Sequence, residues 1–338
     1  MVILQHALAL TGHEDRTVLG FWRPVSIGDL AVGGFFGLSG YLLMTSVTRH
    51  APRRFLRLRF FRLFPGFWAT LVFVALVAAP LIALGTGRWE DYRLDGSDSG
   101  LGYLVRNAGL VVFQDGIGDL LATNPWPTAL DGSLWSLAPE FACYLILLLA
   151  TMTVRRLGWS PPMLLVPLIL GAGLVATSAT PVLGGTAGTY LSVLGALSMA
   201  FFSGSLLAHL GWLSRPDLRR AGVLVALLVV VVSGGLWLPF GPPLLAATVA
   251  AVGTSLTSGW TTRVDARADL SYGVYLYHFT VIQALIAFGV TGLSVRAALT
   301  QLAPLTLLIA GVLAAISWFA VEAPAQRYGR RKKAVPAP

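Results

Sequence analysis

The chain has 338 residues, of which 56% are apolar and only 12% are charged, and its formal net charge is +9. This composition excludes an ordinary soluble globular protein and predicts an integral membrane protein. The only lysines, Lys332 and Lys333, lie in the C-terminal tail and no soluble basic domain is present, so the positive charge does not indicate nucleic-acid binding. Cys143 is the single cysteine, which excludes intrachain disulfides and cysteine-based zinc sites.

Apolar runs along the chain predict an all-α, polytopic membrane protein with about ten transmembrane helices. A helix that crosses the hydrocarbon needs about 20 apolar residues. The seventh and eighth spans are separated by helix-breaking prolines and a glycine within 239–243, because the apolar character hardly falls there. The predicted spans are residues 1–10 (short), 27–48, 66–86, 133–154, 162–180, 187–210, 221–238, 239–258, 270–290 and 301–322.

The distribution of basic residues predicts the orientation of these spans. With ten spans and a cytoplasmic C-terminus, 18 of the 24 basic residues fall in segments on the inner side. Since Arg and Lys collect on the cytoplasmic side of short loops, we expect a multi-pass protein of the cell membrane with its C-terminus in the cytoplasm. Residues 87–132 are then a long external loop, available to shape an acceptor site, and its apolar stretch 101–113 is predicted to be an interfacial or re-entrant helix.

Several kinds of chemistry are excluded by missing motifs. No Gly-Lys-Ser/Thr sequence is present for a phosphate loop, and no lysine lies in the spans for Schiff-base chemistry. The five histidines form no His-Glu-x-x-His pair, and no metal site is predicted. The segment Gly37-Leu38-Ser39-Gly40 lacks the spacing of a nucleophile elbow, so Ser39 is not predicted to be a nucleophile. Gly33 and Gly37 are spaced for close packing of helices.

Polar residues at membrane depth are costly and indicate functional positions. His6, in the first apolar segment, is either a general base for acyl transfer to an alcohol or a polar residue at the interface. Arginines alternate with apolar residues over 49–64, which predicts an amphipathic helix at the inner face. Guanidinium groups there could bind the phosphates of a nucleotide-containing donor or those of anionic lipids.

Two further segments carry polar residues into the spans. In 131–140, Ser133 is predicted to cap the helix, Trp135 suits the external interface, and Glu140 lies about two turns inside, as an ion-pair partner, an orienting group or an acid/base group. In 271–279, Tyr277 and His278 lie within the ninth span, where they indicate either a hydrated pocket or polar bonds between helices.

These blocks together resemble the acyltransferase 3 family of bacterial membrane-bound O-acyltransferases. The resemblance runs from His6 to about Pro324, in the order in which the family carries its motifs. The matching blocks are His6, Phe35-Phe36-Gly37-Leu38-Ser39-Gly40-Tyr41-Leu42-Leu43, Arg59-Phe60-Phe61-Arg62-Leu63-Phe64-Pro65, Trp135-Ser136-Leu137-Ala138-Pro139-Glu140, Ser271-Tyr272-Gly273-Val274-Tyr275-Leu276-Tyr277-His278 and Val321-Glu322-Ala323-Pro324.

The resemblance implies a membrane domain over residues 1–325, followed by a basic cytoplasmic tail, 326–338. It implies His6 as the catalytic histidine and Arg59 and Arg62 as the paired arginines that bind the acyl donor. Glu140 is carried over as a second catalytic candidate. Ser39, Trp135, Tyr277 and His278 are carried over as pocket candidates.

Two departures from the family pattern affect this site. Related chains usually have an arginine well before the histidine, so either translation starts upstream of Met1 or that arginine is absent. The acidic residue that often precedes Phe-Phe is replaced by Gly33, with Asp29 one turn earlier as a possible substitute.

The predicted function is transfer of a small acyl group, acetyl above all, from acyl-CoA to a hydroxyl of a cell-surface or exported glycan or glycolipid. No permanently bound cofactor is expected, because acyl-CoA (acetyl-CoA) is a co-substrate. The predicted partners are acyl-CoA, the glycan or glycolipid acceptor and the lipid bilayer. Two alternatives stay open: a transporter or flippase that uses the same polar groups, and an acyltransferase that acts on a secreted small molecule such as a macrolide sugar.

Overall fold

A computed structural model describes residues 1–19, 25–212, 217–256 and 269–331 of the chain. The described part is almost entirely helical, with one antiparallel pair of two-residue strands, β1 (Val18–Leu19) and β2 (Val25–Ser26). The α-helices are α1 (Val2–Leu10), α2 (Ile27–Arg49), α3 (Pro52–Phe73), α4 (Ala79–Gly85), α5 (Gly100–Asn107), α6 (Leu137–Leu157), α7 (Pro162–Leu183), α8 (Gly185–Leu210), α9 (Leu218–Ser233), α10 (Trp237–Ser255), α11 (Leu270–Ala287), α12 (Val295–Ala297), α13 (Ala303–Ser317) and α14 (Ala323–Arg330).

Short π and 3-10 segments join or precede several of these helices. The π segments are Val74–Ala78, Ala298–Leu302 and Trp318–Glu322, and the 3-10 segments are Glu14–Thr17, Trp89–Asp91 and Leu134–Ser136. Because the π segments follow α3, α12 and α13 directly, they continue each helix rather than end it.

Eight helical segments of the described residues are long and apolar enough to cross a membrane, which confirms the all-α polytopic class. They are Ile27–Arg49, Pro52–Gly85, Leu134–Leu157, Pro162–Leu183, Gly185–Leu210, Trp237–Ser255, Leu270–Ala287 and Val295–Arg330. All ten predicted spans coincide with helices, but α1 has nine residues and α9 has 16, so these two fall short in length.

The arginine segment and the third predicted span form one continuous helical segment, Pro52–Gly85, of 34 residues. The sequence predicted an amphipathic helix over 49–64 at the inner face and a membrane span that begins at residue 66. Pro65 lies inside α3 without ending it. At about 1.5 Å per residue the segment is about 51 Å long, well beyond the roughly 30 Å of the hydrocarbon core, so its arginine-rich first part can extend past the membrane.

The predicted helix in the long loop is shorter than the apolar stretch that suggested it. The helix α5 begins at Gly100, where the Ser99 side chain accepts a hydrogen bond from the Gly102 amide, and ends at Asn107. The Asn107 side chain accepts hydrogen bonds from the Phe113 and Gln114 amides and donates one to the Gln114 carbonyl. These bonds hold the chain in a turn and stop the helix.

The chain divides into two compact units. The first unit contains Met1–Val2, Thr17–Pro52 and Ala138–Arg263, and the second contains Ile3–Arg16, Arg53–Leu137 and Val264–Pro338. The domain boundary predicted between residues 325 and 326 falls within α14 and stays a prediction. The tail residues 332–338 and most of the predicted inner loop 259–269 lie outside the described residues.

Small residues let the helices of the first unit pack closely, as the spacing of Gly33 and Gly37 predicted. A Cβ atom on Gly33 would lie 3.1 Å from the Leu245 side chain, and one on Gly37 would lie 2.8 Å from Ala246. A Cβ atom on Gly204 of α8 would overlap the carbonyl of Gly37. These approaches bring α2 against α8 and α10 at backbone distance.

The core of the second unit surrounds α11, which packs against α13. Its buried apolar cluster includes Ala7 and Leu10 of α1, Phe279 and Ile282 of α11, and Leu302. The short helix α1 is therefore fixed by contacts on its apolar face, which position the polar residue beside that face, His6.

Candidate functional site

Two histidines that are 272 residues apart in sequence meet in the second unit. Nδ1 of His6, on α1, lies 2.7 Å from Nε2 of His278, on α11. Their rings are stacked, with centroids 4.9 Å apart and planes inclined by 13°, and the Phe279 ring packs edge-on against His6 at 5.0 Å. The structure thus joins the predicted catalytic histidine with one of the predicted pocket residues.

A backbone carbonyl contacts the ring of His278, and hydroxyl bonds fix the helix that carries it. Nδ1 of His278 lies 2.7 Å from the carbonyl oxygen of Tyr275, one turn earlier on α11. The Tyr275 hydroxyl donates to the Ser133 carbonyl at 2.7 Å and lies 2.6 Å from the Ser136 hydroxyl. The start of the Leu134–Leu157 helical segment is therefore bonded to the turn of α11 that carries His278.

The prediction that the Ser133 side chain caps this helical segment is wrong, because its hydroxyl is used elsewhere. Ser133 has helical backbone angles and makes no side-chain cap bond to the helix. Its hydroxyl and its amide both donate to Oδ1 of Asp131, at 2.7 and 3.1 Å. At the start of this helical segment, the backbone amide of Ser133 therefore donates its hydrogen bond to the side chain of Asp131.

Asp131 is a buried carboxyl group that the sequence pattern did not single out. Its second oxygen accepts a hydrogen bond from Thr280 of α11 at 3.2 Å. Burial raises the pKa of Asp131 to about 7, against the lowering effect of its hydrogen bonds from Ser133 and Thr280. Its place two residues before the Ser-Leu-Trp-Ser block was the only signal in the sequence, and it did not distinguish this aspartate from the other acidic residues of the loop.

The arginine pair predicted to bind the acyl donor lies one turn apart on α3, and the structure gives Arg62 protein partners. Nη2 of Arg62 donates to Oδ2 of Asp269 at 2.6 Å, and Nη1 lies 3.9 Å from Oε2 of Glu322. The guanidinium also stacks over the Tyr272 ring, 4.9 Å from its centroid. Arg59 is half-buried on the same helix.

Tyr277 and Trp135 also lie in the second unit. Tyr277 is buried, packs edge-on against Phe73 at 5.3 Å, and its hydroxyl lies beside Thr70 and Ser317. Trp135 is half-buried in the 3-10 turn before α6. Tyr277 therefore faces α3 and α13, where it joins their polar side chains.

In the first unit, the structure brings together Glu140 and Ser39. The Ser39 hydroxyl donates to Oε1 of Glu140 at 2.8 Å, and the Tyr144 hydroxyl donates to the same oxygen. Among the described residues Glu140 forms no ion pair with an arginine, and its predicted roles as an orienting or acid/base group stay predictions. Asp29, considered as a substitute acid, instead completes a capping box with Ser26 at the start of α2.

The long loop 87–132 contains an open polar cavity of about 280 Å³. Five carboxylates line it together with Arg93 and Ser97, which makes it acidic; they are Glu90, Asp91, Asp95, Asp98 and Asp119. Within the described residues, no group of three His, Cys, Asp or Glu side chains is arranged to hold a metal ion.

Comparison with known proteins agrees with the resemblance of the sequence blocks. The acyltransferase 3 family, whose model is described as an acyltransferase domain, matches residues 1–322. An O-acetyl transferase of Shigella phage Sf6 is 26% identical over 294 residues, which cover 85% of this chain and 82% of that relative. No solved structure gives a significant match.

Proposed function

Because this chain belongs to the acyltransferase 3 family, we propose that it transfers a small acyl group, such as acetyl, from acyl-CoA to a hydroxyl of a cell-surface or exported glycan or glycolipid. That it is a membrane protein and an O-acyltransferase follows from its apolar helices, its family and the phage relative. Family membership decides against the transporter or flippase alternative. The donor, the acceptor and the orientation in the membrane are the proposed part.

The contact between His6 and His278 carries the proposal for the chemical step. A half-buried imidazole that a second ring holds in place can act as a general base on an alcohol. As the acceptor hydroxyl oxygen forms its bond to the acyl carbon, His6 takes the hydroxyl proton. The carbon–sulfur bond of the thioester breaks, its electron pair leaves with sulfur, and the imidazolium of His6 returns the proton to the thiolate.

The arginine-rich beginning of α3 supports acyl-CoA as the donor. Guanidinium groups bind phosphates through paired hydrogen bonds, and Arg53, Arg54, Arg57 and Arg59 lie within two turns of one another. This part of α3 belongs to the inner side in the orientation predicted from the basic residues, which has a cytoplasmic C-terminus. Acyl-CoA would then reach the enzyme from the cytoplasm, with no permanently bound cofactor.

The acidic cavity of the long loop supports a polar acceptor. Carboxylates accept hydrogen bonds from sugar hydroxyls, and five of them line the cavity. A neutral glycan suits this charge better than an anionic one, because like charges repel. A secreted small molecule that carries a sugar would satisfy the same contacts. Mass spectrometry of surface glycans, lipids and secreted metabolites, from cells with and without the gene, should identify the acceptor by a lost acyl mass.

The variant His6→Ala tests the proposed function most directly. We expect acyl transfer from radiolabelled acetyl-CoA to endogenous acceptors in membrane vesicles to fall by about 100-fold or more, the usual contribution of a general base. His13→Ala is the matched control, since His13 is half-buried in the same unit, as His6 is, and its Nε2 lies 2.8 Å from the Leu293 carbonyl oxygen rather than against another imidazole. Wild-type acylation by His6→Ala would refute the role of His6.

Donor binding by the arginines is tested by Arg59→Gln. We expect its KM for acetyl-CoA to rise while the thermal stability of the purified protein stays near wild type. Arg16→Gln is the control, because the Arg16 side chain is 67% exposed and pairs with its neighbour Asp15, which is 72% exposed. An unchanged KM in Arg59→Gln would show that this arginine serves membrane orientation alone.

A further inference from the structure

The two histidines of the pair differ in what they can reach. The side chain of His278 is fully buried, whereas that of His6 is half-buried. A substrate hydroxyl can therefore approach His6, while His278 contacts only protein groups. This difference assigns the two rings separate tasks.

The contact with Tyr275 determines which nitrogen of His278 carries its proton. A backbone carbonyl oxygen can only accept a hydrogen bond. Since the Tyr275 oxygen lies 2.7 Å from Nδ1 of His278, this nitrogen must be the donor. In the neutral ring, Nε2 of His278 is then left with its lone pair and can only accept.

The tautomer of His278 determines the tautomer of His6. Nε2 of His278 lies 2.7 Å from Nδ1 of His6, so Nδ1 of His6 must carry the proton of that bond. The other nitrogen of His6, Nε2, is left unprotonated. A charged His278 would reverse the bond, but its ring is fully buried and, among the described residues, no carboxylate lies within ion-pair distance of it.

We propose that His278 is a positioning residue that fixes the tautomer of His6, so that Nε2 of His6 is the atom that takes the proton of the acceptor hydroxyl. This inference rests on the proposed function. When Nε2 of His6 gains the proton, its Nδ1–H still donates to His278, and the bond to the Tyr275 carbonyl keeps His278 in the accepting form. The chain of two bonds therefore stabilises the imidazolium as well as the neutral base.

Two variants of His278 separate this role from simple packing. His278→Gln can present a carbonyl oxygen to Nδ1–H of His6, whereas His278→Leu fills the space without an acceptor. We expect kcat to fall by about 100-fold in His278→Leu, and by less than about tenfold in His278→Gln, with KM for acetyl-CoA unchanged in both. A purely structural role would lower the amount of folded protein and would not depend on the acceptor atom.

The tautomer itself can be measured without reference to activity. In protein labelled with ¹⁵N-histidine and held in lipid nanodiscs, two-bond proton–nitrogen correlations show which ring nitrogen carries hydrogen. The chain has five histidines, and the signals of His6 are those lost in His6→Ala. We expect the Nδ1–H form of His6 in the wild type and a mixture of its two tautomers in His278→Leu. The control His13→Gln should leave the His6 signals unchanged.

The outcomes distinguish the two levels of the proposal. An Nε2–H form of His6 in the wild type would overturn the inference, and so would full kcat in His278→Leu when His6→Ala is inactive. An active His6→Ala would instead refute the proposed function. If His278→Leu does not fold, the wild-type tautomer and the activity of His278→Gln still decide the question.

Discussion

Replacement of Arg62 by glutamine should destabilise the protein more than removal of the exposed carboxylate that it contacts. The guanidinium of Arg62 bridges Asp269, at 2.6 Å, and Glu322, at 3.9 Å. The two carboxylates differ in environment, because the Asp269 side chain is 41% exposed and that of Glu322 is 1% exposed. Oε1 of Glu322 accepts from Ser317 at 2.9 Å, and among the described residues Oε2 accepts no hydrogen bond.

The exposure of each carboxylate sets how much stability each substitution is expected to cost. An exposed ion pair contributes about 0–1 kcal/mol, so Asp269→Asn should cost little. Removal of the cation from a buried carboxylate costs about 3–5 kcal/mol, so Arg62→Gln should be far more harmful. The double variant Arg62→Gln/Glu322→Gln carries no stranded charge and should recover most of the loss.

Apparent melting temperatures of the four purified proteins in one detergent measure this order. The reasoning is refuted if Asp269→Asn destabilises as much as Arg62→Gln, or if the double variant melts no higher than Arg62→Gln alone. The double variant has a second use. Because it should fold, its KM for acetyl-CoA tests whether Arg62 binds the donor, free of the stability effect that would confuse the single variant.

Two further predictions concern packing and pH. Gly204→Ala should lower the melting temperature, because its Cβ atom would overlap the Gly37 carbonyl, whereas Gly222→Ala, which meets nothing within 4 Å, should not. Burial raises the pKa of Asp131 to about 7 from about 3.9 in the unfolded chain, so the native state keeps a proton that the unfolded state loses. The melting temperature should therefore fall as pH rises from about 4 to 7, and Asp131→Asn should remove that fall.

Much of the fold follows from local sequence properties. Apolar runs of sufficient length located the eight described helical segments that are long enough to cross a membrane, and the spacing of Gly33 and Gly37 located a close helix contact. Boundaries were less predictable. The amphipathic helix over 49–64 and the span from residue 66 were predicted separately but belong to one helical segment, and the apolar stretch 101–113 concealed the turn at Asn107. The loop helix ends early because the Asn107 side chain bonds to the Phe113 and Gln114 amides, which the apolar character of the stretch does not reveal.

The site was only partly predictable. His6 and His278 were each named from the sequence, but nothing in a separation of 272 residues shows that their rings touch. Asp269 and Tyr144 were not predicted as partners of Arg62 and Glu140, because a charged or hydroxyl group gains a partner only when helices are packed. Ser133 was predicted to cap a helix, a role that its bond to Asp131 prevents.

The sequence by itself determined that this chain is a helical membrane protein with an acyltransferase pattern, because hydrophobic length and ordered motifs are properties of single segments. Only the tertiary structure decided which polar groups share a hydrogen bond, since such bonds require atoms within about 3 Å of each other. The pairing of His6 with His278, and of His278 with the Tyr275 carbonyl, belongs to that second kind of information. In the proposed mechanism, this pairing makes Nε2 of His6 the reacting atom.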